Sequence, residues 1–284
     1  MVKIIADSTC DLSPKILKKH NITLTPLSII SGEDEFRDGV DIRPADVFRM
    51  ADEEKRVCKT AAVNVFDYQK TFEEYSKKYG EVVQICIGLG FSACFQNAKI
   101  AAEDFPNVRV ADSRNLSAGS GYLVYEAALM AEANRDGEEI CRYIEENRSL
   151  INTSFVINRL DYLHRGGRCS LASLIGSRLL GIKPCIEVAD GFMRVGKKYR
   201  GNFEECLDEY VKDRLSDTDN INLKRVFITH PMCSRETVER VRQAVEKRAA
   251  FGEIIETRAG CAISNHCGPN TLGVIFKQKT AYKR

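Results

Sequence analysis

The chain has 284 residues, 44% of them hydrophobic and 29% charged, a balance that disfavours disorder and supplies core material for two domains of ordinary size. Forty-two Lys and Arg against forty Asp and Glu leave a formal charge of +2, too weak a field to gather a polyanion, which argues against a nucleic-acid partner. No apolar run approaches the ~20 residues needed to span a bilayer.

Residues 2–6 form a short apolar run ending at Asp7 and Ser8, which predicts a buried strand entering a loop. Ser13 with Pro14 after it is an N-cap followed by a residue suited to the first helical turn. Residues 22–30 read as extended, leading into an acidic turn at 32–35, and Pro44 restarts a helix. Asn64 caps a further helix whose Phe72, Tyr75 and Tyr79 share one face, and Gly80 stops it. The continuous apolar run 82–87 has the character of a central strand covered on both faces. A glycine-rich loop, 88–92, then opens an Ala-rich helix through Ala102. A strand at 108–111 and a helix at 121–134 complete a strand–helix alternation that favours parallel pairing.

The later part changes character. Extended pieces at 155–157, 184–188, 192–195, 226–229, 254–257 and 272–276 alternate with helices at 171–180, 204–215 and 234–248. Asp190–Gly191 between two extended runs marks a hairpin, because that dipeptide accommodates positive φ. The expected fold is α/β with two domains: a Rossmann-like parallel-sheet domain over 1–150, and a second α/β domain over 151–284 with a mainly antiparallel sheet.

Three strand-to-loop junctions in the first half carry small or hydroxyl residues: Asp7–Ser8–Thr9, the 88–92 loop, and Asp112–Ser113 leading to Ser117 and Gly119. Ligands of open parallel sheets bind beyond the carboxyl ends of strands, so their convergence would suit a small anion or carboxylate. A dinucleotide fingerprint is absent, since Gly88 and Gly90 would require glycine where Ala93 stands, and no phosphate-binding G-x-x-x-x-G-K motif occurs. Arg165, Gly166, Gly167 and Arg168 combine close backbone approach with guanidinium forks. His266 falls in a stretch rich in turn residues, where an imidazole can donate to an anion; His230 has the weaker claim. The eleven cysteines lack C-x-x-C pairs and zinc spacing, and read as reduced thiols of a cytoplasmic protein with no metal or cofactor.

In order, Asp7–Ser8 with Asp11, Lys59–Thr60, Phe91–Ser92 with Gln96, Asp112–Ser113 with Ser117 and Gly119, the Leu160–Ser170 segment, Arg200, and His266–Gly268–Pro269 make the chain resemble the DegV family. Those proteins bind fatty acids and include the B subunits of bacterial fatty acid kinase. The resemblance implies a non-enzymatic lipid carrier that holds one long-chain fatty acid in an apolar tunnel, with membrane contact only transient. Thr60 and Ser92 match the family's carboxylate-binding hydroxyls, and Arg168, Arg200 and His266 would surround the head group or a docking face. A separate ATP-binding kinase subunit would form the acyl phosphate, which the carrier delivers to phospholipid synthesis. The alternative is a Ser- or Cys-dependent acyl hydrolase or transferase with His266 as base, although the chain lacks the G-x-S-x-G nucleophile elbow.

Overall fold

The computed structural model describes residues 1–166 and 181–281. The first part of the chain supplies β1 (Val2–Asp7), α1 (Pro14–Lys19), β2 (Thr23–Thr25), β3 (Ser28–Ser31), β4 (Asp34–Arg37), α2 (Pro44–Asp52), β5 (Lys59–Ala61), α3 (Val65–Ser76), β6 (Glu81–Cys86), α4 (Cys94–Ala102), β7 (Val108–Asp112), α5 (Ser117–Glu132) and α6 (Gly137–Asn147). Strands β2, β1, β6 and β7 lie in that order in one parallel sheet. The near-continuous burial of β1 and β6 accounts for their apolar sequences, since helices cover both faces of the sheet. Caps set helix starts locally: the Ser13 hydroxyl accepts from Ile16 N at 3.4 Å and the Asn64 amide oxygen from Asp67 N at 2.9 Å.

Residues 22–30 are not one extended piece. The Ser8 hydroxyl accepts from Leu27 N and the Leu27 carbonyl accepts from Asp38 N, so the chain leaves the parallel sheet after β2. It enters a separate antiparallel sheet of order β4-β3-β5. The acidic stretch is correspondingly shorter as a turn than expected: Gly32, at φ 68°, turns the chain, and Asp34 and Glu35 already pair with β3.

The remaining elements are β8 (Ile151–Asn152), β9 (Ser154–Val156), α7 (Asp161–Arg165), β10 (Ile182–Ala189), β11 (Phe192–Arg200), α8 (Phe203–Arg214), β12 (Ile221–His230), α9 (Arg235–Glu246), β13 (Glu253–Arg258), α10 (Cys261–Cys267) and β14 (Leu272–Gln278). They build a mixed sheet of order β11-β10-β9-β14-β12-β13, with β8 beside β14. Its pairs are antiparallel except β12 with β13. Asp190 and Gly191 turn the β10–β11 hairpin at φ 53° and 81°, the positive values that the dipeptide anticipates. The helix expected at 171–180 lies outside the described residues.

Helix α5 joins the two sheets. Mostly apolar, with Glu126 paired to Arg225, it is buried from Ser117 to Ala128, as a helix with no solvent face must be. One side packs on Ile4, Ala6, Val83 and Ile85 of the parallel sheet, and the other on Phe227 and Ile275 of the mixed sheet. It starts at Ser117 rather than near 121, because Gly119 and Gly121 permit contact with the Thr153 hydroxyl and the Cys10 carbonyl that a Cβ would block.

Candidate functional site

A cavity of about 490 Å³ opens between the two sheets, within the ~300–1,000 Å³ typical of small-molecule sites. Its walls are largely apolar: Leu27, Ile87, Phe91, Leu116, Phe155, Leu163, Met193 and Ile263. Thr9, Thr60, Ser92 and His266 contribute polar groups, with Lys59 and Arg165 also at the lining. A smaller void of about 30 Å³ shares Leu116, Phe155, Ile263 and Cys267 with it and extends toward Thr229 and His230.

The structure joins Thr60 and His266. Thr60 lies on β5, opposite Ile29 of β3, and its Oγ1 is 2.9 Å from His266 Nε2. His266 is on a helix, α10, rather than in the loop its turn-rich neighbours predict. The helix forms because a distant carboxylate caps it: Asp38 accepts from Cys261 N at 2.7 Å and from Ala262 N at 3.4 Å. Asp11 accepts from Gly260 N at 2.8 Å just before the helix, and the Asn265 amide donates to the Cys58 carbonyl at 3.1 Å, tying α10 to the approach to β5. Gly268, at φ 74°, ends it. Gly166 lies so close to the imidazole that an added Cβ would collide with the ring, which restricts how His266 can turn.

Ser92 belongs to the loop that β6 feeds. Asp7 accepts from Ile87 N at 2.8 Å and Asp112 from Leu89 N at 3.1 Å, fixing the loop at both sides. The Ser92 hydroxyl donates to Cys94 Sγ at 3.1 Å and accepts from Cys94 N at 3.3 Å. Burial, with the nearby Asp7 carboxylate adding to it, pushes the Cys94 thiol up to about 12, so it stays protonated and unreactive near neutral pH. The Cys267 thiol is likewise pushed up by burial.

The three junctions do not all converge on the cavity. Thr9 and Ser92 line it, whereas the Ser8 hydroxyl donates to Asp38 at 2.9 Å and Ser117 bonds to Asp11. Thr9, from the first of these junctions, has a buried Oγ1 with no hydrogen-bond partner among the described residues. Arg165, from the paired-arginine motif, lines the cavity and pairs with Asp161 at 3.2 Å and Asp52 at 3.5 Å. Arg168 lies outside the described residues. Arg200 is exposed at the end of β11, opposite Ile182, and is not among the cavity walls. His230 is buried beside the smaller void, and desolvation lowers its pKa against a weaker opposing effect of Glu256. Phe155, Met193 and Ile263 come from three separate elements of the later chain, and no local motif marks them. Among the described residues no group of three or more His, Cys, Asp or Glu side chains is placed to hold a metal, and no helix is long and apolar enough to cross a membrane.

These features define an α/β protein in which a parallel and a mixed sheet enclose an apolar cavity headed by hydroxyls and an imidazole. The chain belongs to the DegV family, whose profile, described as "Uncharacterised protein, DegV family", matches residues 1–279. It is 31% identical to a DegV domain-containing protein of Caldanaerobacter subterraneus, over 98% of this chain and 99% of that protein. Among solved structures, a fatty-acid-binding DegV family protein from Thermus thermophilus superposes with a TM-score of 0.88 at 24% identity, covering 98% of this chain and 99% of the other. A stearic-acid-binding protein from Eubacterium ventriosum superposes with a TM-score of 0.84 at 28% identity, with the same coverage of each chain.

Proposed function

We propose that the protein binds one long-chain fatty acid, its acyl chain in the apolar cavity and its carboxylate at Thr60 and Ser92. The observation that carries this reading is the Thr60–His266 pair at the wall of a cavity otherwise lined by aliphatic and aromatic side chains. If His266 Nε2–H donates to Thr60 Oγ1, the Thr60 hydroxyl proton is left to a ligand carboxylate. Thr9, buried and unpartnered, supplies a further donor at the lining. Each methylene taken from water into the cavity contributes about 0.8 kcal/mol, so the chain gives affinity while the hydroxyls orient it. The stearic-acid-binding relative supports the same ligand class.

In this reading the chain is a cytoplasmic carrier rather than an enzyme, with lobes dividing near residue 150. It presents the carboxylate to a separate ATP-dependent kinase subunit that forms the acyl phosphate for phospholipid synthesis. The hydrolase alternative is less well supported, because Ser92 bonds to Cys94 while His266 bonds to Thr60. Native mass spectrometry of the purified protein, before and after addition of stearate, tests the carrier. A single bound fatty acid is expected; neither copurification nor uptake would refute it.

A further inference from the structure

Beside the β10–β11 hairpin lies a second and polar cleft of about 370 Å³, lined by Arg194, whose neighbour Met193 lines the apolar cavity. Arg114, Arg148, Arg194 and Arg214 line it. They come from both parts of the fold: Arg114 and Arg148 follow β7 and α6, while Arg194 is on β11 and Arg214 ends α8.

The carboxylates at this cleft are already shared. Glu187 Oε1 is 2.8 Å from Arg214, and its Oε2 is 2.9 Å from Arg194. Asp112 lies 3.8 Å from Arg148 and 4.0 Å from Arg114, but its Oδ1 also accepts from the backbone N–H groups of Leu89 and Arg114. Glu187 and Asp190 line the cleft with the four arginines while Asp112 lies behind it; the Asp112 carbonyl and Asn152 Oδ1 take one further N–H each from Arg148 and Arg214, and the guanidinium N–H groups still outnumber these acceptors. Arg214 meets Glu187 and Asn152 through its two terminal nitrogens, and its Nε is buried with no hydrogen-bond partner among the described residues.

We propose that this arginine-lined cleft is a second ligand site that binds a small phosphate-bearing anion. Four guanidinium forks, two from each part of the fold, call for an acceptor with oxygens directed several ways. A phosphate ester or diphosphate provides these, whereas a lone carboxylate presents only one planar edge. The cleft exceeds what inorganic phosphate needs, leaving space for the group the phosphate carries. The site does not depend on the fatty-acid reading, because no arginine that lines it lines the apolar cavity. The two are neighbours through the hairpin: Gly191 packs against the Arg114 side chain, and the Gly191 carbonyl and Phe192 ring press on Gly90 of the loop that carries Ser92.

Isothermal titration calorimetry with pyrophosphate at low salt, with acetate as the carboxylate comparison, tests the site. Saturable one-to-one binding of pyrophosphate and none of acetate are expected. Arg114→Ala with Arg194→Ala, both side chains about half exposed, should retain the wild-type melting temperature and weaken binding about tenfold or more. Lys77→Ala with Lys78→Ala, a remote pair of the same charge, should leave binding unchanged. Absence of saturable binding, equal binding by the Arg114/Arg194 variant, or equal weakening by the lysine variant would each overturn the proposal.

Discussion

Thr60→Val removes a hydroxyl while nearly keeping the side chain's shape, so its effects can be assigned to hydrogen bonds. In the free protein it deprives His266 Nε2 of a partner held at 2.9 Å. An unsatisfied polar group costs about 1–3 kcal/mol, but this cost is present with and without ligand and therefore falls on stability rather than on affinity. At ~2–4 °C per kcal/mol, the melting temperature of the ligand-free protein should drop by several degrees. Affinity loses a different quantity, the bond from the Thr60 hydroxyl to a charged carboxylate, worth about 1.5–3 kcal/mol or roughly a 10- to 150-fold higher Kd. Ser92→Ala should weaken binding less, because the Ser92 hydroxyl already donates to Cys94 and gives up that bond to engage the ligand. Displacement of a fluorescent fatty acid measures Kd, and differential scanning fluorimetry of delipidated protein measures stability. A lower melting temperature with unchanged Kd in both Thr60→Val and the Thr60→Val/Ser92→Ala double variant would show that Thr60 serves His266 alone and that the head group sits elsewhere.

Two further expectations concern the framework. Arg225, 2% exposed, lies 2.7 Å from Glu126 and 3.1 Å from Glu253, with its guanidinium 4.2 Å from the centre of the Tyr125 ring. Arg225→Met removes one of two cations at Glu126 and should cost about 1–3 kcal/mol, below the ~3–5 kcal/mol of a wholly unpaired buried charge because Lys224 stays 3.2 Å from that carboxylate; restoration of the urea midpoint by adding Glu126→Gln would confirm the cause, and its failure would assign the loss to packing. Asp11 is fully buried, and desolvation raises its carboxyl from 3.8 to about 8 despite bonds from Ser117 and Gly260. Between those values the folded chain holds a proton that the unfolded chain has released. The stabilisation is thus complete below the unfolded value and is lost as pH rises toward 8, at no more than about 1.4 kcal/mol per unit. The difference in melting temperature between wild type and Asp11→Asn should therefore fall as pH rises from 4 to 8, and a pH-independent difference would contradict this.

What could be read from the sequence depended on how far apart the interacting residues lie. The caps at Ser13 and Asn64 bond to N–H groups three residues on, so a local pattern contains both partners. The apolar run of β6 and the Asp190–Gly191 turn are equally self-contained. His266 was legible as a chemical group but not as a helical residue, because the carboxylate that caps α10 comes from Asp38, 223 positions before Cys261. The split of residues 22–30 has the same origin, since Ser8 and Asp38 capture the Leu27 backbone from outside the run. Nor does any periodicity bring Phe155, Met193 and Ile263 to one cavity, because that meeting requires the complete stacking of the two sheets about α5.

The Asp7–Asp11 stretch gains a different meaning from this geometry. Its hydroxyls and carboxylates first suggested a loop offering groups to an anion. In the folded chain Asp7 accepts from Ile87 N and steadies the loop of Ser92, while Asp11 accepts from Gly260 N ahead of α10. Ser8 donates to Asp38, whose carboxylate holds the N-terminus of the helix bearing His266. Of these residues only Thr9 lines the cavity itself. Buried carboxyl groups are costly unless several donors converge on them, and here each set of donors includes one from a segment that carries a cavity side chain. The aspartates thus fix where Ser92 and His266 stand without lining the cavity, by holding the backbone of the Ser92 loop and of α10 through their carboxyl oxygens.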